Sequence, residues 1–178
     1  MPRLGVARSF QRTNIFKTLS VLENVRLGVQ AVKLPARAIL SAPHTQASLI
    51  EAARRALERV GLSAHEQTMS GVLSHGAQRQ LEIAMALVMR PRLLLLDEPA
   101  AGLSARERTY VAEILSALPR DLTMVLIEHD MELALGLVDF VTVMFNGRVL
   151  VEGTPDRIRQ NEQVQEVYLG KPHSVDAP

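Results

Sequence analysis

The chain has 178 residues, of which 47% are hydrophobic and 22% charged, a balance that fits an ordinary globular core. A formal net charge of +1 with only 3% aromatic residues argues against nucleic acid, since neither a basic field nor a set of stacking rings is present. The lack of cysteine excludes a disulfide framework and thiol chemistry, no apolar run approaches the ~20 residues that span a bilayer, and Met1-Pro2-Arg3-Leu4-Gly5 has no signal-peptide pattern.

In chain order, Met1 to Phe16 reads as strand and loop, and Leu22 to Val32 as a helix. Lys33 to Thr45 holds Pro35 and Pro43 and reads as a loop. From Gln46 to Val60, Leu49, Ile50, Ala53, Leu57 and Val60 fall on one face, and Glu51 stands four residues before Arg55. That pattern predicts a helix, which Gly61 ends. A further helix is predicted over Ala77 to Met89, stopping before Pro91. Met85, Met89 and Met131 read as core packing.

The run Leu93-Leu94-Leu95-Leu96 predicts a strand buried on both faces. Ser104-Ala105-Arg106-Glu107 has capping-box spacing and starts a helix in which Val111, Ile114, Leu115 and Leu118 repeat at i, i+3, i+4, i+7, closed by Pro119. Leu122 to Ile127 reads as a second buried strand and Met131 to Leu137 as a short helix. Phe140 to Phe145 and Arg148 to Val151 form a predicted hairpin across Asn146-Gly147. Pro155 to Tyr168 is expected as one polar helix, with fraying from Lys171. Strands alternating with helices predict an α/β fold with a parallel sheet.

Two stretches carry chemistry. The leucine strand ends in Asp97-Glu98-Pro99, and ligands of open parallel sheets bind beyond the carboxyl ends of the strands. One carboxylate there can hold a magnesium ion, and the next can take a proton from an attacking water. Taken alone, the string also fits a strand feeding a helix N-terminus. Upstream, Leu73-Ser74-His75-Gly76-Ala77-Gln78 is a small-residue helix entry in which Ser74 can cap and Gly76 admits a close backbone approach. Free N–H groups at such an entry suit a phosphate, although an ordinary capped helix has the same look.

Together, in this order and spacing, these strings resemble the ATP-binding subunits of ABC transporters. Leu73 to Ala77 resembles their signature motif and Leu93 to Glu98 their Walker B motif. Gly5-Val6-Ala7-Arg8-Ser9-Phe10-Gln11 is similar to the segment leading into the Q-loop, and Leu19-Ser20-Val21-Leu22-Glu23-Asn24-Val25 to the entry of the helical subdomain. Ala101-Gly102-Leu103-Ser104 resembles the D-loop and Leu126-Ile127-Glu128-His129-Asp130 the switch region. His75, the run Leu81-Glu82-Ile83-Ala84 and the ending Val164-Gln165-Glu166-Val167-Tyr168-Leu169-Gly170 lean to the branched-chain amino-acid importers. Three residues depart from the common pattern: His75 for a glycine, Ala77 for a glutamine, and Ser104 for the D-loop aspartate.

The resemblance implies an incomplete P-loop NTPase-type parallel sheet with a helical subdomain insertion. The whole of 1–178 would be a partial ABC ATPase domain, with a helical subdomain over about 12–89 and the C-terminal part of the catalytic core over 90–170. No G-x-x-x-x-G-K-[ST] phosphate loop occurs in these residues, so the chain corresponds to the C-terminal part of such a subunit. The implied ligands are ATP and Mg2+. Asp97 and Gln11 would hold the metal shell, Glu98 would act as general base, and His129 would contact the γ-phosphate. Ser74 and Gly76 would face nucleotide held by a second ATPase subunit, in a homo- or heterodimer. Transmembrane permease subunits would be the other partners, placing the chain at the cytoplasmic face of the membrane. The alternative is a non-catalytic partner that supplies only a signature motif to an intact ATPase subunit.

Overall fold

The leucine run becomes the middle strand of a three-stranded parallel sheet. A computed structural model describes residues 5–8, 15–33 and 43–169. The chain divides into two compact units, Met1–Ile127 and Glu128–Pro178. In the first, β1 (Val6–Arg8), β2 (Leu93–Asp97) and β3 (Thr123–Ile127) lie in the order β1-β2-β3, with Val6 opposite Leu93 and Asp97 opposite Ile127. Successive side chains of a strand point to opposite faces. Leu94 and Leu96 are fully buried, while Leu93 and Leu95 are half-buried, so the expected burial on both faces is corrected to one sealed face and one partly covered. Each fully buried leucine contributes about 1.5–3 kcal/mol.

The expectation of a second buried strand is also corrected. In β3, Val125 is 47% and Ile127 59% exposed. Among the described residues β3 pairs with β2 alone, so it forms an open edge, and β-branched residues that a further strand would cover meet solvent instead.

Three helices, α1 (Val21–Lys33), α2 (Pro43–Arg59) and α3 (His75–Leu87), pack on one another. Their buried residues include Val21 and Val25 of α1, Leu49, Ala53 and Leu57 of α2, and Leu81 and Ala84 of α3, all at most 1% exposed. Helix α2 begins at Pro43, inside the stretch expected as loop, because proline lacks only an N–H that the first turn does not use. Helix α3 begins at His75 rather than Ala77, since Ser74 is its cap. Gly61 follows α2 with φ +69°, and a side-chain carbon there would stand 3.0 Å from Tyr110 Cζ. Helix α4 (Ala105–Ser116) lies against α3 and buries Val111, Ile114 and Leu115.

The second unit holds α5 (Met131–Leu137), the hairpin β4 (Val141–Phe145) and β5 (Arg148–Gly153), α6 (Pro155–Arg159) and α7 (Glu162–Leu169). Asn146 and Gly147 both have positive φ, 49° and 74°, as a tight two-residue hairpin turn requires. Leu135, Val143, Ile158 and Val164 form its core. The single terminal helix expected from Pro155 to Tyr168 is two helices. Asn161 breaks it by accepting the Val164 N–H at 3.0 Å and so capping α7. Among the described residues no helix is long and apolar enough to cross a membrane.

Candidate functional site

At the end of β2 the backbone turns sharply. Glu98 has φ +45°, a left-handed conformation that costs free energy for a residue with a Cβ. Its N–H donates to Ile127 O at 2.9 Å, which continues the ladder with β3 by one residue. Its carbonyl accepts from Ala101 N–H at 3.1 Å. Both Asp97 and Glu98 are half-buried, so each carboxylate keeps access to solvent. Asp97 Oδ2 lies 3.5 Å from Arg8 Nη2 of β1.

The other predicted end is the N-terminus of α3. The Ser74 hydroxyl accepts the Ala77 N–H at 3.2 Å, and Gln78 Nε2 donates back to Leu73 O at 3.1 Å. Gly76 is buried, and its N–H donates to Glu107 Oε1 at 3.1 Å, with the Ser74 hydroxyl 3.3 Å from the same oxygen. The second carboxylate oxygen of Glu107 accepts the Ser104 N–H at 3.0 Å and the Ser104 hydroxyl at 2.7 Å. One carboxylate thus completes the predicted capping box of α4 and serves the N-terminus of α3. The Ser104 hydroxyl first, then the N–H groups of Ser104 and Gly76, hold this carboxyl below its ordinary value of 4.5. A side-chain carbon on Gly76 would fall 2.6 Å from Glu107 Cγ, so only glycine permits the contact. An open depression of about 480 Å3 lies beside it, bordered by Gln80, Arg106 and Tyr110.

One α/β unit thus holds a signature-like helix entry and a Walker B-like strand end. A family profile described as ABC transporter matches residues 1–101, and one described as branched-chain amino acid ATP-binding cassette transporter matches residues 148–174. The chain belongs to the ABC transporter ATPase family. It is 40% identical to the high-affinity branched-chain amino acid transport ATP-binding protein LivG of Escherichia coli, over 95% of this chain and 69% of that protein. Its identity to BraF of Pseudomonas aeruginosa, a protein of the same description, is 37% over the same shares. The spermidine/putrescine import ATP-binding protein PotA of Mycoplasma mycoides is 36% identical over 84% of this chain and 40% of its own length. Among solved structures, cbiO1 of Clostridium perfringens, part of the ABC transporter complex cbiONQ, superposes with a TM-score of 0.75 at 28% identity, over 94% of this chain and 64% of that one. An ATP-binding cassette of an ABC transporter in its ADP conformation gives 0.73 at 26% identity, over 96% and 70%. The chain spans about two-thirds of the length of LivG, BraF and these two structures, and 40% of PotA. The fold is the α/β fold of ABC cassettes.

Within the first unit, then, the structure places Ser74 and Gly76 at the head of α3 and Asp97 and Glu98 at the end of β2. His129 belongs to the second unit, where it is exposed and directly precedes Asp130, whose carboxylate caps α5 by accepting the Leu133 N–H at 3.1 Å. Gln11, expected in the Q-loop, lies outside the described residues. Asp97 offers one half-buried carboxylate at the strand end, which fits a magnesium ion of the kind bound through one or two carboxylates with substrate phosphates, and the Arg8 guanidinium 3.5 Å away is a competing cation there. Among the described residues no group of three or more acidic, histidine or cysteine side chains forms a protein-only metal cage.

Two residues of this site are not evident from the sequence. Glu107 is legible there as a cap of α4 but not as a ligand of α3, since Gly76 lies 31 residues away. Arg79, 9% exposed, belongs to none of the motif strings. Its one signal is an Arg–Glu pair, Arg79 and Glu82, three apart in a stretch where Leu81, Ile83 and Ala84 are buried as well.

Proposed function

We propose that this chain is part of an ATP-hydrolysing subunit that drives an ABC importer of branched-chain amino acids. The observation that carries the reading is the Asp97-Glu98 pair at the carboxyl end of a parallel strand, in a chain that also presents Ser74 and Gly76 at a helix head. The similarity of residues 148–174 to the branched-chain amino acid cassettes, with LivG and BraF as relatives, supports the solute class.

In this reading Glu98 accepts a proton from water as it attacks the γ-phosphate of ATP, giving ADP and inorganic phosphate. The turn that holds Glu98 sets the direction in which its side chain leaves the backbone. Asp97 and Gln11 would hold a magnesium ion, which neutralises phosphate charge when bound. His129 would hydrogen-bond the γ-phosphate. Ser74 and Gly76 would face the nucleotide of a second ATPase subunit, and permease subunits would carry the solute.

In a full-length subunit carrying a phosphate loop and assembled with its permeases, Glu98→Gln should lower turnover to a small residual rate while nucleotide binding persists. Steady-state hydrolysis and equilibrium nucleotide binding measure the two separately. Wild-type turnover in that variant would remove Glu98 from the role of base.

A further inference from the structure

We propose that Arg79 is a positioning residue for Glu98, holding the turn after β2 from the signature helix α3. The inference rests on the reading of Glu98 as general base.

The guanidinium of Arg79 meets three consecutive main-chain carbonyls of that turn. Nε donates to Pro99 O at 2.9 Å, and Nη2 donates to Glu98 O at 2.9 Å and to Asp97 O at 3.1 Å. Nη1 donates to Glu82 Oε2 at 2.7 Å, one turn along the same helix. Both side chains are nearly sealed from solvent, at 10% and 7% exposed. A buried ion pair is weak support for stability, because desolvation opposes the attraction. Its retention here is better explained by what the fork does: the carboxylate holds one edge of the guanidinium, and the remaining donors face the turn.

The turn needs such a partner. Beyond Asp97 only the Glu98 N–H continues the ladder with β3, and the carbonyls of Asp97, Glu98 and Pro99 all turn to Arg79. Glu98 stands in the left-handed region, φ +45°, which persists only where the surroundings over-determine it. Arg79 and Ala101 N–H grip its carbonyl, and Ile127 O grips its N–H. These contacts set both peptide planes around Glu98 and therefore the direction in which its carboxylate leaves the backbone. Lysine cannot replace this, since one ammonium lacks the planar fork that spans three acceptors. Because Arg79 lies under one turn from Gly76 and about one and a half turns from the cap Ser74, a shift of α3 moves the Glu98 turn with it.

The test uses the full-length subunit, carrying its phosphate loop and assembled with its membrane partners. Arg79→Lys should lower kcat by about tenfold or more, with KM for ATP changed by less than about twofold, as expected when a catalytic group is misplaced while the groups that bind ATP stay in position. The residual hydrolysis of Glu98→Gln should be the same with and without Arg79→Lys, because Arg79 acts through Glu98. Wild-type kcat in Arg79→Lys, an equal change in KM, or a further proportionate fall in the double variant would each overturn the proposal. Should Arg79→Lys fail to assemble, Arg79→Gln/Glu82→Gln removes both charges together and leaves neither buried and unpaired. The same loss of kcat at unchanged KM is expected there, and a wild-type kcat overturns the proposal. A silent Glu98→Gln variant sinks the base assignment and this inference together. An inactive Glu98→Gln beside a fully active Arg79→Lys sinks this inference alone.

Discussion

Replacing Asn24 by leucine should destabilise the helical part of the first unit by about 2–4 kcal/mol, far more than its volume change suggests. Asn24 is fully buried. Its Oδ1 accepts the Phe16 N–H at 2.8 Å, and Nδ2 donates to Ser20 O at 2.9 Å, to Phe16 O at 3.2 Å and to the Ser70 hydroxyl at 3.2 Å. Ser70 in turn donates to Phe16 O at 2.9 Å, so one amide joins the lead-in to α1 with a turn 46 residues away. Some acceptors survive the change, since Ser20 O keeps the Asn24 N–H at 3.1 Å and Phe16 O keeps Ser70. The substitution removes roughly three net bonds at about 1 kcal/mol each, and adds a penalty for the Phe16 N–H in so far as water does not reach it. Urea unfolding followed by helical circular dichroism measures the change as a lower midpoint at an unchanged slope. Asn24→Asp adds a check of sign. A carboxylate facing the carbonyls of Phe16 and Ser20 has its pKa raised above the unfolded value of about 3.9. Its deficit should therefore be smallest below about pH 4 and grow as pH rises through the folded value. A stability for Asn24→Leu within about 0.5 kcal/mol of wild type would show that the network is not worth what its burial implies.

Glu107 should confer a pH dependence on both helix heads. Its carboxyl is held below 4.5, chiefly by the Ser104 hydroxyl, so the contribution is complete above that value and is lost as pH falls through the lower folded value. Amide exchange at Gly76, corrected for intrinsic rate, should accelerate in acid, and Glu107→Gln should abolish that dependence; exchange at Gly76 that ignores pH in the wild type would refute it. Amides of Thr123–Ile127 should exchange faster than those of the Gln46–Arg59 part of α2, because β3 is an open edge with Val125 and Ile127 exposed while α2 buries Leu49, Ala53 and Leu57. Strong protection of Thr123–Ile127 would mean that this edge is covered in solution.

What the amino-acid sequence determined by itself is what short range decides. Ser104 and Glu107 are three residues apart and cap α4 as their spacing predicts, Asn146-Gly147 takes the two positive φ values its hairpin needs, and Gly61 ends α2 in the left-handed region. The ABC motifs belong to the same class, because strings such as Leu73 to Ala77 and Leu93 to Glu98 are contiguous and carry their chemistry in neighbouring residues. Asn161 was legible in principle, yet a polar run of helix formers hid the cap that splits the last helix. Tertiary structure decided the rest. Asn24 looks like an ordinary polar residue at a helix start until Ser70 and Phe16 close around it. Arg79 acquires its role only when α3 packs beside the end of β2, and Glu107 reaches Gly76 only when α4 comes against α3. The burial of β3 failed as an inference because apolar composition shows what a strand can bury, whereas its neighbours in the sheet decide what it does bury.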